Sequence, residues 1–458
     1  MFIPQKEYYK LINTIKERLD IVEIISEYVD LKKSGSNYWG ICPFHNDTKP
    51  SLSVNSSKGI YKCFACGEGG DAIRFIMRIK NQTFRDTIFE LALKYKIEMK
   101  DHTSEQNSKQ EREMLEIYAK AASYYHSMLK NPQINAKAIS FLEARNIGKK
   151  AINDFNIGFA PDGFNLLYNE LSKGFSADSL EKVGLIFRSK NGNWIDRFRN
   201  RIIIPIQNEN GEIIAFGARA LENGQIPKYL NSPSSTIYNK SKILYALNFA
   251  KEAIKKEDSV VIMEGYFDVI TAHMNGIKNA VATYGTALTS EHVKLLLKYT
   301  KSKRFLLSFD SDTAGINAAK RAGKVIKKVF THLQNNAHSS LYEVRALTIP
   351  DNKDPDEYIR THGSDQYLKC IANAPFLIDF LFDNVLKIKT EIKTPQDKAY
   401  FALQFFEIIS DIDNKIVQIE YVKKLANILE LNESIILYEL EKYMTQFLCA
   451  KNLGNKSN

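Results

Sequence analysis

Apolar residues recur every three or four positions from Tyr8 to Tyr28 (Tyr8, Leu11, Ile12, Ile15, Leu19, Ile21, Ile24, Ile25, Tyr28), the spacing of one helix face. A turn at Gly35 to Asn37 and a cysteine-bearing segment follow, and helical spacing returns from about Asp71 to Tyr95. Residues 101–112 hold no apolar side chain and read as a linker. Helical spacing then runs from Glu111 to Glu143. Over residues 150 to 257, short apolar runs such as Arg201–Ile206 and Ile213–Phe216 are broken by Asn/Gly turns, which predicts hairpins. From Ser259 the pattern changes. Val260–Met263, Asn279–Thr283, Arg304–Phe309 and Tyr342–Leu347 are strand-like runs with helical stretches between them, which predicts a small parallel α/β sheet. Beyond Ser364 the spacing is helical, with Pro375 and Pro395 as boundaries. The expected fold class is α+β and multidomain: a small domain at 1–100, a linker at 101–112, a mixed α/β part at 113–257, a parallel-sheet part at 258–347 and a helical part at 348–458.

Composition narrows the class. The 458 residues are 44% apolar and 11% aromatic, enough for several cores and unlike a disordered chain. No apolar run approaches the ~20 residues of a membrane span. The charged N-terminus lacks a secretory pattern, so the expectation is a cytoplasmic protein with no membrane partner. A net charge of +10 permits a polyanionic partner without demanding one.

Three of the five cysteines sit close together, which argues for a metal and against a disulfide framework. The spacing is Cys42-x2-His45-x17-Cys63-x2-Cys66. Two tight pairs on either side of a loop can supply four donors to one tetrahedral Zn²⁺, and four protein ligands make it structural. Tyr38, Trp39, Phe44, Tyr61 and Phe64 interleave with Lys49, Lys58 and Lys62 around these ligands. That mixture suits unpaired bases and phosphates, although single aromatics could equally form the module's own core.

Acids follow the strand-like runs. Glu264 ends Val260–Met263, and Asp268 lies one helical turn further on. Asp310 and Asp312 follow the Arg304–Phe309 run, and Asp354 and Asp356 form a third cluster. Carboxyl ends of parallel strands share one edge, so the three groups should converge there. Clustered carboxylates need cations, and hard oxygen donors select Mg²⁺ or Mn²⁺, which bridge to substrate phosphates. No P-loop is present, which excludes a fused helicase. Upstream, Arg197, Arg199 and Arg201 alternate along a predicted strand and should share a face; Arg145, Arg219, Lys228 and Lys240 add positive charge.

The stretches Tyr38–His45, Tyr61–Gly67, Asp154–Asp162, Lys228–Pro233, Glu264–Asp268 and Phe309–Gly315 together resemble bacterial DnaG-type primases, and the likeness runs to about residue 440. The resemblance implies a CHC2 zinc ribbon, then an RNA polymerase domain made of a basic subdomain, a TOPRIM fold and a helical subdomain. It implies a DNA primase that joins NTPs into short RNA on single-stranded template DNA. Glu264, Asp310 and Asp312 would be the central ligands of two or more Mg²⁺ or Mn²⁺ ions, and Asp268, Asp354 and Asp356 would complete the acidic cluster. Glu264 would also be the general base, if a protein base is used. Arg145, Arg199, Arg201, Arg219, Lys228 and Lys240 would hold nucleotide and template. The zinc module would act on its own or on a neighbouring subunit's polymerase domain, and the expected state is a monomer. Family members continue into a C-terminal domain that docks on the replicative helicase; as this chain stops at Asn458, the expectation is that a helicase contact uses a reduced surface, is made differently, or was lost with that domain. Two rival readings are another TOPRIM enzyme, such as a nuclease or topoisomerase, and a non-catalytic nucleic-acid-binding scaffold.

Overall fold

Two helices, not one, carry the periodicity of residues 8–28: Gln5–Arg18 and Ile21–Ser26. Asp20 divides them by capping the second, its carboxylate accepting the amides of Val22 at 2.7 Å and Glu23 at 3.3 Å. The computed structural model describes residues 5–454 except 46, 81, 83, 96, 98–101, 223, 301–302, 311, 334–341 and 388–393. Two compact units emerge, Met1–Gln110 and Glu111–Asn458.

The first unit holds a five-stranded antiparallel sheet in chain order: Lys32–Ser34, Asn37–Gly40, Leu52–Asn55, Ile60–Cys63 and Gly69–Gly70. Leu52, Val54 and Tyr61 from the sheet pack with Ile15, Ile24, Ile25, Phe75 and Ile88 from the helices, and this core also buries Cys42 and Cys63. The polar stretch expected to be a linker is helical from residue 102, as the start of His102–Lys130, and the boundary between the two units falls inside it, after Gln110. The stretch contains no Pro or Gly, so nothing in its composition stops a helix.

The second unit has two four-stranded sheets. In the antiparallel one the order is Tyr229–Asn231, Ile213–Ala220, Arg201–Gln207, Gly158–Ala160. The run Arg201–Ile206 is buried throughout, since both faces of the sheet are covered. The other sheet is parallel, in the order Ala280–Ala282, Ser259–Met263, Arg304–Ser308, Glu343–Ala346. The central strand Ser259–Met263 is buried throughout and Phe305–Ser308 beside it likewise, as in a sheet covered on both faces, whereas the edge strand Glu343–Ala346 is buried only at Ala346. From Ser259–Met263 the chain steps first to one neighbour and then across to the other. The crevice at the carboxyl ends of such a switch point is where ligands bind. Helices after the parallel sheet enclose a core of Phe382, Phe405, Phe406, Leu425 and Leu440. Among the described residues, no helix is long and apolar enough to cross a membrane.

Gly217 lets the two sheets approach. A Cβ there would lie 2.4 Å from the Tyr266 ring. The Tyr266 hydroxyl donates to Asn231 Oδ1 at 2.7 Å, so the helix that follows Glu264 is tied to the edge strand of the antiparallel sheet.

Candidate metal centre and active site

Cys42, His45, Cys63 and Cys66 bring one ligand atom each within 4.8 Å of one another. Cys42 Sγ and Cys66 Sγ stand 3.9 Å apart. Two sulfurs on a tetrahedral zinc with bonds of about 2.3 Å would stand about 3.8 Å apart, so the set fits that ion. His45 Nδ1 is buried without a hydrogen bond, and Nε2 lies 3.8 Å from Asp47 Oδ1. This is a ligand nitrogen aimed inward with a carboxylate behind the ring. Burial pushes the Cys42 thiol up to about 12. Cys63 is also raised by burial, but the Cys66 and Ala65 amides, each 3.4 Å from its sulfur, and the Ser51 hydroxyl outweigh that and bring it down to about 6.

Sequence reasoning missed Asp47. It accepts from Ser51 Oγ at 2.5 Å, the Cys42 amide at 3.0 Å and the Lys49 amide at 3.2 Å, and so fixes the loop bearing two of the ligands. The Ser51 hydroxyl and these amides hold its carboxyl down at about 2. Asp47→Ala is expected to weaken zinc retention by about 10–100-fold, the usual cost of losing such an outer partner. Zinc release against a colorimetric chelator measures this.

The aromatics of the module divide into two groups. Phe44 and Tyr61 meet Phe75 in the core, with centroids 5.2 Å away in each case. Trp39 and Phe64 stack on the outside at 5.8 Å, with Phe64 66% exposed and Lys62 Nζ 5.7 Å from its ring. Of these four, the outer pair offers a face to a base, Phe44 and Tyr61 being turned into the core.

The acids gather at the carboxyl edge of the parallel sheet. Glu264 directly follows Met263, and Asp310 lies two residues beyond Ser308; the register pairs Met263 with Ser308. Burial, then the charges of Asp310 and Asp312, push the Glu264 carboxyl up. Burial, then Asp354 and Asp312, do the same to Asp310. Glu264 Oε1 is buried with no hydrogen bond. Unspent buried oxygen among like charges is what a hard divalent cation would satisfy. Among the described residues, the Cys/His set is the one group of three or more such donors close enough to share an ion without further ligands; the carboxylates do not form such a group. Mg²⁺ that keeps waters and binds phosphate tolerates such spacing. Gly315 keeps the corner tight, because a Cβ there would sit 1.9 Å from the Asp310 carbonyl oxygen.

The outer acids are differently employed. Asp268 is buried at the first turn of Tyr266–Met274, accepting the Gly265 amide at 2.9 Å and the Asp356 amide at 3.3 Å. Burial, then Asp354, Asp310 and Asp356, raise its carboxyl to about 7. Asp354 caps Pro355–His362 through the Glu357 amide at 2.7 Å, and Asp312 accepts the Gly315 amide at 2.8 Å. Asp356 is 4% exposed, and its Oδ1 accepts from Thr271 at 2.6 Å and Arg360 at 3.2 Å.

Among the basic residues, Arg197, Arg199 and Arg201 do not share a strand face. Asp196 ends one strand, Asn200 takes a φ of 50° and the next strand begins only at Arg201. Arg197 donates to the Asn231 carbonyl at 3.1 Å, Arg199 lies over Phe164 at 5.0 Å, and Arg201 is buried, donating to the Pro227 carbonyl at 2.8 Å. Arg201 is nevertheless close enough to Arg219 and Arg199 for their charges to lower its pKa further, after burial. Lys228 is exposed, and Lys240 reaches the Gly285 carbonyl at 3.2 Å. Arg145 and Arg219 lie against Phe141, with guanidinium carbons 4.5 and 5.3 Å from its centroid.

Comparison with known proteins places this geometry. Family models match residues 7–107 (CHC2 zinc finger), 124–251 (DNA primase catalytic core, N-terminal domain) and 261–359 (Toprim-like). The DNA primase of Synechococcus elongatus is 37% identical over 433 residues, which is 92% of this chain and 61% of that protein. That of Synechocystis sp. is 38% identical over 440 residues, 93% of this chain and 67% of that protein. The chain therefore spans about two thirds of the length of these relatives. Of solved structures, the Aquifex aeolicus primase zinc-binding and RNA polymerase domains superpose with a TM-score of 0.57 at 29% identity, covering 93% of this chain and 99% of that one. A DnaG primase catalytic domain bound to ssDNA gives 0.57 at 29% identity, covering 70% and 99%. With three models matched in order, and near full coverage by a relative more than 30% identical, the chain belongs to the DnaG-type family of bacterial DNA primases.

Proposed function

We propose that this chain makes short RNA primers on a single-stranded DNA template from NTPs. The observation that carries the reading is the carboxylate edge beside the basic sheet: Glu264, with a buried and unspent oxygen, next to Asp310 and Asp312. Glu264, Asp310 and Asp312 would hold Mg²⁺ or Mn²⁺, with Asp268 and Asp354 shaping the site behind them. Bound there, the ions supply neutralisation of triphosphate charge and a lowered pKa for the attacking hydroxyl. The 3′-oxygen of one nucleotide bonds to the α-phosphorus of the next, the bond to pyrophosphate breaks, and the hydroxyl proton leaves. The Glu264 carboxylate oxygen that does not hold the ion would be the acceptor for that proton. Arg145, Arg199, Arg201, Arg219, Lys228 and Lys240 supply positive charge for template and triphosphate. A relative solved with ssDNA on its catalytic domain supports a template of that kind.

The experiment is primer synthesis with purified protein, single-stranded DNA, labelled NTPs and Mg²⁺, the products resolved by size. Short RNA that disappears with EDTA supports the reading. Intact DNA binding without product, across Mg²⁺ and Mn²⁺, favours a scaffold.

The zinc module's part in this reading is to hold bases on the Trp39–Phe64 stack. Trp39→Ala and Phe64→Ala should each weaken single-stranded DNA binding by about 1–3 kcal/mol, the size of one base–aromatic stack. Fluorescence anisotropy of a labelled oligonucleotide checks this, with unchanged melting of the protein as the control.

A further inference from the structure

Asp356 was grouped with the metal-binding acids, but its surroundings point elsewhere. One oxygen, Oδ1, takes hydrogen bonds from Thr271 and Arg360. The other, Oδ2, faces Arg145 with Nε 3.7 Å away. A divalent ion on Oδ2 would have to share the space beside a guanidinium that is always charged. Arg145 has no closer polar partner at this nitrogen, since Nε is buried without a hydrogen bond. It is held from the sides by rings, 4.5 Å from the Phe141 centroid and 5.3 Å from that of Phe267. Phe141 also carries Arg219 at 5.3 Å, whose Nε is likewise buried and unpaired. Two like charges on one ring repel, and the aromatic face offsets only part of that. Asp356 thus serves both Arg145 and Arg360, and with Arg219 alongside, three guanidiniums around one carboxylate retain positive charge to offer an anion.

We propose that Asp356 and Phe141 are positioning residues: Asp356 anchors and Phe141 shelves the Arg145 guanidinium, with Arg219 beside it, for the phosphates of the incoming nucleotide. Asp356 thus acts through Arg145 and not through a divalent ion. This rests on the primer-synthesis reading. Asp356 sets the guanidinium in direction, and Phe141 sets its height and its separation from Arg219. A planar, oriented fork is what makes arginine selective for phosphate oxygens.

The test uses the full chain with two readouts. Affinity for a fluorescent ATP analogue in Mg²⁺ reports the proposal, and primer synthesis reports the reading beneath it. Asp356→Asn keeps the shape and an acceptor for Thr271. It should raise the dissociation constant and the KM for NTP by about tenfold, the scale of one oriented charge-assisted contact, and leave kcat and the Mg²⁺ half-saturation unchanged. Combined with Arg145→Gln, it should cost no more than Arg145→Gln alone, because both remove one interaction. A shifted Mg²⁺ half-saturation, or effects that multiply in the double variant, would overturn the proposal. Phe141→Leu provides a second line if Asp356→Asn fails to fold. It should weaken the analogue similarly, and Phe141→Tyr should restore it. Unchanged affinity in Phe141→Leu, or no analogue binding by the wild type, also overturns the proposal. Normal analogue binding without primers would instead count against primer synthesis alone.

Discussion

Glu264→Gln is expected to lower primer synthesis by at least about a thousandfold, equivalent to about 4 kcal/mol of transition-state stabilisation, while single-stranded DNA binding persists. The same substitution should raise the melting temperature in the absence of divalent ions. The sign follows from the direction of the shift. Burial and the charges of Asp310 and Asp312 push the Glu264 carboxyl above its ordinary value. A carboxyl raised on folding favours the folded state when protonated, and that advantage is lost as the pH climbs through the folded-state pKa. Above its unfolded pKa the Glu264 carboxyl therefore costs stability, a cost that neutral Gln relieves. Asp310→Asn should behave alike, since burial and then Asp354 and Asp312 raise it too. Activity falling while stability rises separates a functional carboxylate from a structural one. Primer yield and differential scanning calorimetry on the same preparations measure both. A variant that loses activity only by unfolding would remove the support for the site.

The second large effect concerns zinc. Stripping the metal, or replacing Cys63 by Ser, should abolish the cooperative transition of the first unit and leave that of the second in place. Cys42 and Cys63 lie inside the first unit's hydrophobic core, so two buried thiols lose their cation at once. Structural zinc sites carry apparent binding free energies of about 10–16 kcal/mol at neutral pH, comparable with the whole stability of a small domain. Calorimetry of the full chain before and after chelation, with zinc content by atomic absorption, follows the loss. Readdition of one equivalent of zinc should restore the first transition. Two unchanged transitions after complete zinc removal would contradict a structural role.

What could be read from the chain, and what could not, divides by distance. The buried runs at Val260–Met263 and Arg304–Phe309 are local signals, and both are strands of the parallel sheet. The acids that end them were legible for the same reason, as was the pairing of Cys42 with His45 and Cys63 with Cys66. Local competition defeated other expectations. One side chain, Asp20, splits a continuous periodic run by capping at its middle. One backbone conformation, at Asn200, breaks the alternation that would have aligned three arginines. The linker at 101–112 holds the unit boundary, but its lack of apolar side chains marks a connection without telling coil from helix, and it is helical from residue 102. The role of Asp356 was hidden for a different reason. Its partners Arg145 and Thr271 are remote in sequence, and acidity alone does not tell a metal ligand from the anchor of an arginine. Asp47 could have been suspected, since an acid two residues after a candidate zinc-ligating His is well placed to support the ring.

Template dependence bears most directly on the proposed chemistry. Wild-type protein with Mg²⁺ would be given a single-stranded DNA of known sequence and the four NTPs, one labelled at a time, and the RNA products sequenced. Products complementary to the template, absent without DNA and absent from Glu264→Gln, are the predicted result. RNA that ignores the template sequence, or cleavage of the DNA in place of RNA synthesis, would contradict it.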